Sequence, residues 1–303
     1  MSDECADGWS HHGLAALPDG TVVGYHPGGN ELLFFGPTTG AVVRRSRCEA
    51  MEAHDIEVDG DRLWLADCGH RLKLSARSRT VYVDPPVTDA VGHVWLVEQD
   101  GTTVRRIDGP DEQQFLPTGV ALDPDGRGLW VADGYGSNRV FLFGPDDTVV
   151  LTLDGFDTPH GIEIDHRGGE PVLVVAERGA RRLAVHALDG TFLRHEGVGA
   201  LLAPCATTVV GDHLHVADLS GRVTVLDADG ALVEHLGPHG EQREGWPNAL
   251  DADGKPVPPA FAADRFNSPH GITAVDGDVV VTEWVLGGRW VRYSVSGSTS
   301  KAR

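Results

Sequence analysis

The stretch FNSPHGITAVDGDVVVTEW, residues 266–284, places a Pro-His-Gly tripeptide at the start of a strand-like run. Apolar residues follow His270, an Asp-Gly pair interrupts them, and a valine-rich segment then ends at Glu283. Two short apolar runs separated by turn residues predict a β-hairpin. The same arrangement recurs along the chain, so this stretch represents one copy of a repeat.

Five other segments combine a strand, a polar turn and a second strand in the same way. The position of His270 is occupied in these copies, in chain order, by His12, His54, Thr118, His160 and Cys205. Successive positions are separated by 42, 64, 42, 45 and 65 residues. A period of about 40–45 residues is typical of β-propeller blades, each a four-stranded sheet that cannot bury its faces alone.

The sequence therefore predicts an all-β fold, a six-bladed β-propeller, in a single domain covering residues 1–303. No window shows sustained helical periodicity, and propellers grow by repetition without dividing into domains. The predicted blades are residues 11–47, 52–109, 116–155, 158–197, 203–237 and 268–295.

Two of the intervals between equivalent positions are longer, 64 and 65 residues, because they contain insertions. Residues 238–267 hold five prolines and predict a loop crossing one face, where long loops often carry function. Residues 70–92 form an extra excursion if strands three and four of the second blade lie in GHVWLVEQDGTTVRRIDG. An alternative register uses HRLKLS, residues 70–75, as strand three. The last blade lacks a fourth strand unless residues before His11 supply it.

The amino-acid composition limits the kinds of molecule that the protein is expected to bind. Forty-five acidic against 25 basic residues give a net charge of −20, which argues against nucleic-acid or anionic-membrane partners and leaves a small molecule or short peptide. The N-terminal residues lack a secretory signal pattern and no apolar run reaches membrane-spanning length, so a cytoplasmic location is expected. The four cysteines show no metal-binding or disulfide spacing. The sequence leaves the oligomeric state open.

The first strands of propeller blades line the central channel, so repeat-equivalent residues form a ring around the axis. Alternate members of this ring are His54, His160 and His270, related by an approximate threefold axis. Three imidazoles with an open fourth position are the ligand set of a catalytic zinc or another divalent transition metal. The other trio, His12, Thr118 and Cys205, would form a mixed polar lining. The alternative is that Pro-His-Gly is turn chemistry, with each histidine bonded to a neighbouring carbonyl.

Beyond the histidines, the segments VADGYGSNRV (131–140) and AERG (176–179) carry a further similarity. Together with TPHG and SPHG they make the chain resemble the peptidyl-α-hydroxyglycine α-amidating lyase family, six-bladed propellers of NHL-type repeats, from about Gly13 to Tyr293. The resemblance implies that three histidines hold a catalytic zinc, that a tyrosine acts as base and that an arginine binds a substrate carboxylate. These residues are His54, His160 and His270, then Tyr135, then Arg178.

The chemistry of a carbinolamide suits these roles. An α-hydroxyglycine collapses to an amide and an aldehyde once its hydroxyl proton is removed and the departing nitrogen is protonated. A neighbouring cation can lower the pKa of a phenol from about 10, and an arginine can hold a carboxylate bidentately. Two simpler interpretations stay open: Tyr135 as a turn aromatic, and Arg178 as the partner of Glu177 in a surface ion pair.

Several positions depart from the family pattern. Pro27 stands where the family has a second arginine, and Ser268 stands where it has methionine. The family's structural calcium uses carbonyls corresponding to Leu14 and Ile56 and an aspartate that is Gly271 here, so the sequence does not predict this calcium. The family's disulfide cysteines are also missing.

Three functions follow as hypotheses. The first is a metal-dependent carbon–nitrogen lyase that uses the histidine trio with Tyr135 and Arg178. The second is a metal-dependent hydrolase of the gluconolactonase type, which would require acids at the channel ring where this chain has histidines. The third is a non-catalytic NHL-repeat propeller that binds partners through its loops, since fold alone does not determine function.

Overall fold

The repeats form six antiparallel sheets arranged around a central axis. A computed structural model describes residues 8–75, 81–110, 114–237, 244–262 and 265–295. Outside the described residues lie the two chain ends (1–7, with Cys5, and 296–303), part of the predicted excursion in the second blade (76–80), residues 111–113, and parts of the predicted loop (238–243 and 263–264). The described part is nearly all β, with one 3₁₀ turn at Val87–Asp89. No helix long and apolar enough to cross a membrane occurs in it.

The strands, in chain order, are β1 Ala15–Ala16, β2 Val22–Tyr25, β3 Glu31–Phe35, β4 Val42–Arg47, β5 Asp55–Asp59, β6 Arg62–Asp67, β7 Arg71–Leu74, β8 Val81–Asp84, β9 His93–Glu98, β10 Thr103–Ile107, β11 Gly119–Leu122, β12 Leu129–Asp133, β13 Arg139–Phe143, β14 Val149–Leu153, β15 Pro159–Asp165, β16 Val172–Glu177, β17 Arg182–Ala187, β18 Phe192–Glu196, β19 Pro204–Val210, β20 His213–Asp218, β21 Arg222–Leu226, β22 Leu232–Leu236, β23 Ala249–Leu250, β24 Pro256–Val257, β25 Pro269–Val275, β26 Asp278–Glu283 and β27 Arg289–Ser294. Five sheets have four strands, and the sixth, β25-β26-β27, has three among the described residues.

The second sheet decides between the two registers that the sequence left open. Its order is β10-β9-β6-β5, and β6 pairs with β9 from Arg62 opposite Glu98 to Asp67 opposite His93. The HRLKLS segment contributes β7, which pairs only with β8 to form a separate hairpin. The segment between β6 and β9 is therefore an insertion that lies outside the four-stranded sheet of the blade.

The cores of the blades lie between neighbouring sheets. Second strands such as β16 read as continuous apolar runs because both of their faces are covered, and Leu173, Val174, Val175 and Ala176 are fully buried. Six clusters of buried hydrophobic residues fill the six sheet-to-sheet spaces in the described part of the chain, including the space between the last sheet and the first. Each blade thus gains its core from its neighbours.

The glycine of the Pro-His-Gly motif is explained by the crowding of first strands around the axis. A Cβ atom added to Gly161 would lie 2.6 Å from the carbonyl oxygen of Cys205, and one added to Gly271 would lie 2.7 Å from that of His12. Such distances are too short for any side chain. Glycine is therefore required at these two positions, where the first strand of one blade meets that of the next.

Acidic residues at the ends of second strands hold the segments that lead into first strands. Each accepts backbone N–H groups that no strand satisfies, and this meets the requirement that buried polar groups be paired. The pairs are Asp67 with Met51 and Glu52, Asp133 with Leu116, and Asp218 with Leu202 and Ala203.

The N-terminal segment, residues 8–11, closes the ring by attaching to the last blade. Ser10 N–H donates to Val285 O at 3.0 Å, and Gly287 N–H donates to Gly8 O at 2.7 Å. The hydroxyl of Thr282 donates to His12 O at 2.9 Å, across 270 positions of the sequence. The first described residues of the chain are therefore joined to the last blade by hydrogen bonds.

One end of the channel is a cavity of about 230 Å³ lined by Asp55, Glu57 and Glu163, together with Leu14 and Ile56. Burial raises the pKa of all three carboxyl groups, that of Asp55 to about 8 and that of Glu57 to about 7. These acids take up protons on folding near neutral pH. Their contribution to stability is fully present at low pH and is lost as the pH rises through the folded-state values.

We expect Glu57→Gln to flatten this pH dependence. The folded-state pKa of about 7 exceeds the ordinary 4.5, so ionisation of Glu57 destabilises the native protein between pH 5 and pH 8. Glutamine removes this destabilisation, which is on the order of 3 kcal/mol at pH 8. Urea denaturation of the parent and the variant at pH 5 and pH 8 measures the change. The exposed Glu170→Gln is the control, and identical pH slopes in parent and Glu57→Gln would contradict the prediction.

Candidate metal centre

Four buried histidines converge at the other end of the channel: His11, His54, His160 and His270. Each offers one ring nitrogen, and these nitrogens all lie within 4.8 Å of one another. None of the four residues is more than 8% exposed. The structure thus brings together the three histidines predicted from the repeat, and it adds His11 as a fourth.

Two members of the predicted trio are oriented by the neighbouring blade. Nδ1 of His54 lies 2.6 Å from the carbonyl oxygen of Thr118, and Nδ1 of His160 lies 2.7 Å from that of Cys205. Donation from Nδ1 to a carbonyl makes Nε2 the nitrogen with a free lone pair. The carbonyl contacts expected from simple turn chemistry are therefore present, and they direct Nε2 toward the cluster.

His270 is placed differently. Its ring lies 4.8 Å from that of His54 and 5.0 Å from that of His160, measured between centroids, and its residue is 2% exposed. Neither of its ring nitrogens has a hydrogen-bond partner among the described residues. A buried polar atom without a partner is costly, by about 1–3 kcal/mol, and such atoms are explained most often by an ion, a water or a functional role.

The repeat pointed to His12, but the side chain of His11 reaches the cluster. The His12 ring bonds to Ser10 Oγ at 3.0 Å and lies 6.1 Å from the ring of Trp290. The His11 ring lies 4.7 Å from those of both His54 and His270. Attachment of residues 8–11 to the last blade turns His11 inward. Only the doubled histidine at 11–12 could have indicated this residue.

Glu52 is a second residue that the sequence did not identify. Its Oε1 lies 3.4 Å from Nδ1 of His11, and the residue is 4% exposed. Its backbone N–H is held by Asp67. Burial raises the pKa of the Glu52 carboxyl group, and its contact with His11 is not a hydrogen bond. Glu52 is therefore an outer neighbour of the histidine cluster, on the side of the His11 ring away from Tyr135.

The hydroxyl of Tyr135 lies where the imidazoles converge. Its oxygen is 3.1 Å from Nε2 of His11, 3.3 Å from Nε2 of His54 and 3.2 Å from Nε2 of His160. Nη1 of Arg178 donates to the same oxygen at 3.1 Å. A single phenol oxygen therefore contacts three imidazoles and a guanidinium.

Burial dominates the protonation states of the site. It lowers the pKa of all four histidines, that of His54 to about 3, so the imidazoles are neutral and able to act as ligands at neutral pH. Burial also raises the pKa of Tyr135 above its ordinary value, while the nearby Arg178 charge opposes this. The expected lowering of the phenol pKa by Arg178 is thus present but is outweighed by burial in the protein alone.

Arg178 points toward the site and not toward Glu177. Glu177 instead pairs with Arg182 at 2.6 Å and accepts the backbone N–H of Asp157 at 3.1 Å. In the part of the chain that the structure describes, no acidic side chain lies within 4.0 Å of the Arg178 guanidinium. Its charge is available to an anionic ligand.

A cavity of about 710 Å³ lies above the cluster, a size typical of small-molecule sites. Its polar lining includes His11, His270, Tyr135 and Arg178, and its apolar lining includes Leu72, Val87, Trp246 and Trp284. Trp246 belongs to the predicted loop at 238–267, which therefore contributes to the wall. Pro27 is not among the lining residues, and Arg178 is the lining residue with a permanent positive charge among those described.

The cysteines stand outside this ligand set. Cys48, Cys68 and Cys205 carry free thiols in the described residues. Cys205 is buried beside Arg178, and its burial raises the pKa of its thiol to about 12. The histidines are therefore the candidate metal ligands.

No protein-family model and no curated protein sequence matches the chain. Solved structures match its fold: a streptogramin B lyase is 14% identical with a TM-score of 0.61 and coverage of 96% of each chain. Virginiamycin B lyase from Staphylococcus aureus is 13% identical, with a TM-score of 0.56 and coverage of 94% of this chain and 95% of that one. A protein of unknown function from Bacteroides thetaiotaomicron is 14% identical, with a TM-score of 0.63 and coverage of 97% of this chain and 71% of that one.

These neighbours are six-bladed β-propellers, and they confirm the predicted fold. Identities of 13–14% support the fold alone. These structural similarities do not show membership of the α-amidating lyase family. Membership of that family and the NHL character of the repeats stay predictions from the sequence.

Proposed function

We propose that the chain is a metal-dependent lyase that cleaves the carbon–nitrogen bond of a carbinolamide of the α-hydroxyglycine type. One observation carries this proposal: the Tyr135 oxygen contacts three neutral imidazoles and the Arg178 guanidinium at the floor of a small-molecule-sized cavity. A base beside a metal and a carboxylate-binding cation is what this elimination requires.

The residues fit a divalent transition metal such as zinc. Four buried neutral imidazoles form a nitrogen donor set, and the unpaired nitrogens of His270 would gain a partner from an ion. His54, His160 and His270 would hold the ion, with His11 beside them and Glu52 next to His11. When bound, the ion supplies polarisation of a substrate oxygen and a positive charge that favours the ionised form of the Tyr135 phenol.

The chain's own residues account for the remaining requirements. Arg178 binds the substrate carboxylate through a bidentate pair of hydrogen bonds from its guanidinium, and it thereby orients the reacting carbon. Tyr135 takes the proton of the α-hydroxyl group. The carbon–oxygen double bond then forms, the carbon–nitrogen bond breaks, and the proton returns to the departing nitrogen. The products are a primary amide and glyoxylate, with no net change in protons.

The other hypotheses have less support. A gluconolactonase-type site would use carboxylate ligands, whereas the described metal-binding group consists of histidines alone. A binding propeller without chemistry would not require unpaired buried imidazoles on the axis. The structural likeness to streptogramin B lyase and virginiamycin B lyase is consistent with lyase chemistry on this architecture, although it carries only the fold.

The proposal is tested by glyoxylate release from N-acetyl-α-hydroxyglycine. We expect the zinc-loaded protein to release glyoxylate above the spontaneous rate, and we expect a chelator to abolish the difference. Re-addition of zinc should restore it. A zinc-loaded protein that releases no glyoxylate above the spontaneous rate would refute the assignment to this substrate class.

A further inference from the structure

We infer that the substrate carries an aromatic acyl group on its nitrogen, and that Trp246 is the residue that selects it. This inference rests on the proposed function and adds the identity of the group opposite the carboxylate. It is carried by the two insertions that interrupt the repeat, both of which reach the cavity above the histidines.

The first insertion supplies one side of the wall. The hairpin β7–β8 and the following 3₁₀ turn contribute Leu72 and Val87 to the cavity lining. The second insertion supplies Trp246, next to Trp284 from the end of β26. The two insertions thus supply Leu72, Val87 and Trp246 to the apolar side of the cavity, whereas Trp284 beside them and His270 in the floor come from the last repeat.

Trp246 is held in place before any ligand arrives. Its indole N–H donates to Asn267 O at 3.1 Å, and the amide of Asn267 donates back to Pro247 O at 2.8 Å. The N–H of Leu286 donates to the side-chain oxygen of Asn248 at 2.9 Å. Because its polar atom is already bonded within the protein, Trp246 offers the cavity an apolar ring surface. A pre-ordered side chain also loses little freedom on binding.

Aromatic packing continues from Trp246 toward the metal centre. The ring centroids of Trp246 and Trp284 are 5.9 Å apart at an interplanar angle of 64°, and those of Trp284 and His11 are 6.4 Å apart. Trp284 is backed by Trp9 at 5.4 Å within a cluster that includes Leu74 and Leu286. Aromatic rings favour such tilted and edge-to-face partners. A third ring, from the ligand, would extend this packing.

The charge distribution fixes the other end of the ligand. Arg178 provides a permanent positive charge at the floor, and the wall offers tryptophan and aliphatic side chains. The complementary molecule has one carboxylate and one aromatic group. A volume of about 710 Å³ accommodates such a compact molecule. An N-aroyl-α-hydroxyglycine meets each of these conditions.

Two ligands that lack the hydroxyl group test the inference through binding alone. N-benzoylglycine and N-acetylglycine share the carboxylate and differ in the acyl group, and neither can undergo the elimination. By calorimetric titration of the zinc-loaded protein, we expect N-benzoylglycine to bind at least about tenfold more tightly. In Trp246→Ala this preference should disappear with little change for N-acetylglycine. Trp246→Phe should retain most of it.

The control is Phe261→Ala, which removes an exposed aromatic residue from the same insertion outside the cavity lining and should leave both affinities unchanged. Equal affinities of the parent for the two ligands, or no binding of either, would overturn the inference. Equal weakening of both ligands in Trp246→Ala would also overturn it. A clear benzoyl preference without glyoxylate release from the hydroxylated compounds would support the aromatic site and refute the lyase proposal.

Discussion

Replacement of His160 by alanine is expected to reduce the bound zinc from about one ion per chain to a small fraction of that. His160 contributes one of four converging imidazoles, and its Nδ1 is fixed by the carbonyl of Cys205. Loss of an outer partner of a ligand weakens metal binding by about 10–100-fold, so loss of the ligand itself should weaken it by at least about 100-fold. Metal analysis after dialysis against a metal buffer measures the change.

The control is His166→Ala, which removes an exposed histidine from the turn that follows β15 in the same blade. It should leave the zinc content unchanged. Equal zinc contents in the parent, His160→Ala and His166→Ala would show that the axial histidines do not form a metal site. The catalytic proposal would then lose its basis.

Replacement of Tyr135 by phenylalanine is expected to lower kcat for glyoxylate release by a factor on the order of 10²–10⁴, the usual contribution of a general base. The ring stays, so its packing against His11, with centroids 5.9 Å apart, is preserved. The four imidazoles also stay, so the zinc content should not fall. Steady-state kinetics together with metal analysis on the same preparation measures both quantities.

The comparison for this prediction is Arg178→Gln, which should mainly raise KM because it removes the binding partner of the carboxylate. A kcat in Tyr135→Phe within a few-fold of the parent value would contradict the role of Tyr135 as base. A parallel loss of zinc and activity would assign Tyr135 to the metal site itself. These two outcomes are distinct from each other and from the expected result.

The parts of the site that belong to the repeat could be predicted from the sequence. His54, His160 and His270 occupy equivalent positions in alternate blades, so the period alone brings them together on the axis. The glycines that follow His160 and His270 carry independent information, because a Cβ atom at Gly161 or Gly271 would collide with the first strand of the next blade. The sequence pattern could not choose between the two registers of the second blade, because polar and apolar residues alternate acceptably in both candidate third strands. The pairing of β6 with β9 decides between them.

Residues outside the repeat could not be predicted. His11 precedes β1, and its direction depends on hydrogen bonds to residues near the other end of the chain. Glu52 approaches His11 only because Asp67 holds the turn before β5. Trp246 lies in a proline-containing insertion with no equivalent in other blades, so no periodic signal indicates which wall it joins. In each case long-range contacts, not local pattern, place the side chain.

The closing contacts between the N-terminal segment and the last blade have a consequence for biosynthesis. Because His11 precedes the first blade and His270 lies in the last, the four-histidine cluster cannot form while the last blade is still inside the ribosome. Capture of the proposed metal ion would therefore follow synthesis of the last blade. A bound ion would link the N-terminal segment to that blade, so its release rate would depend on how often the contacts between them open.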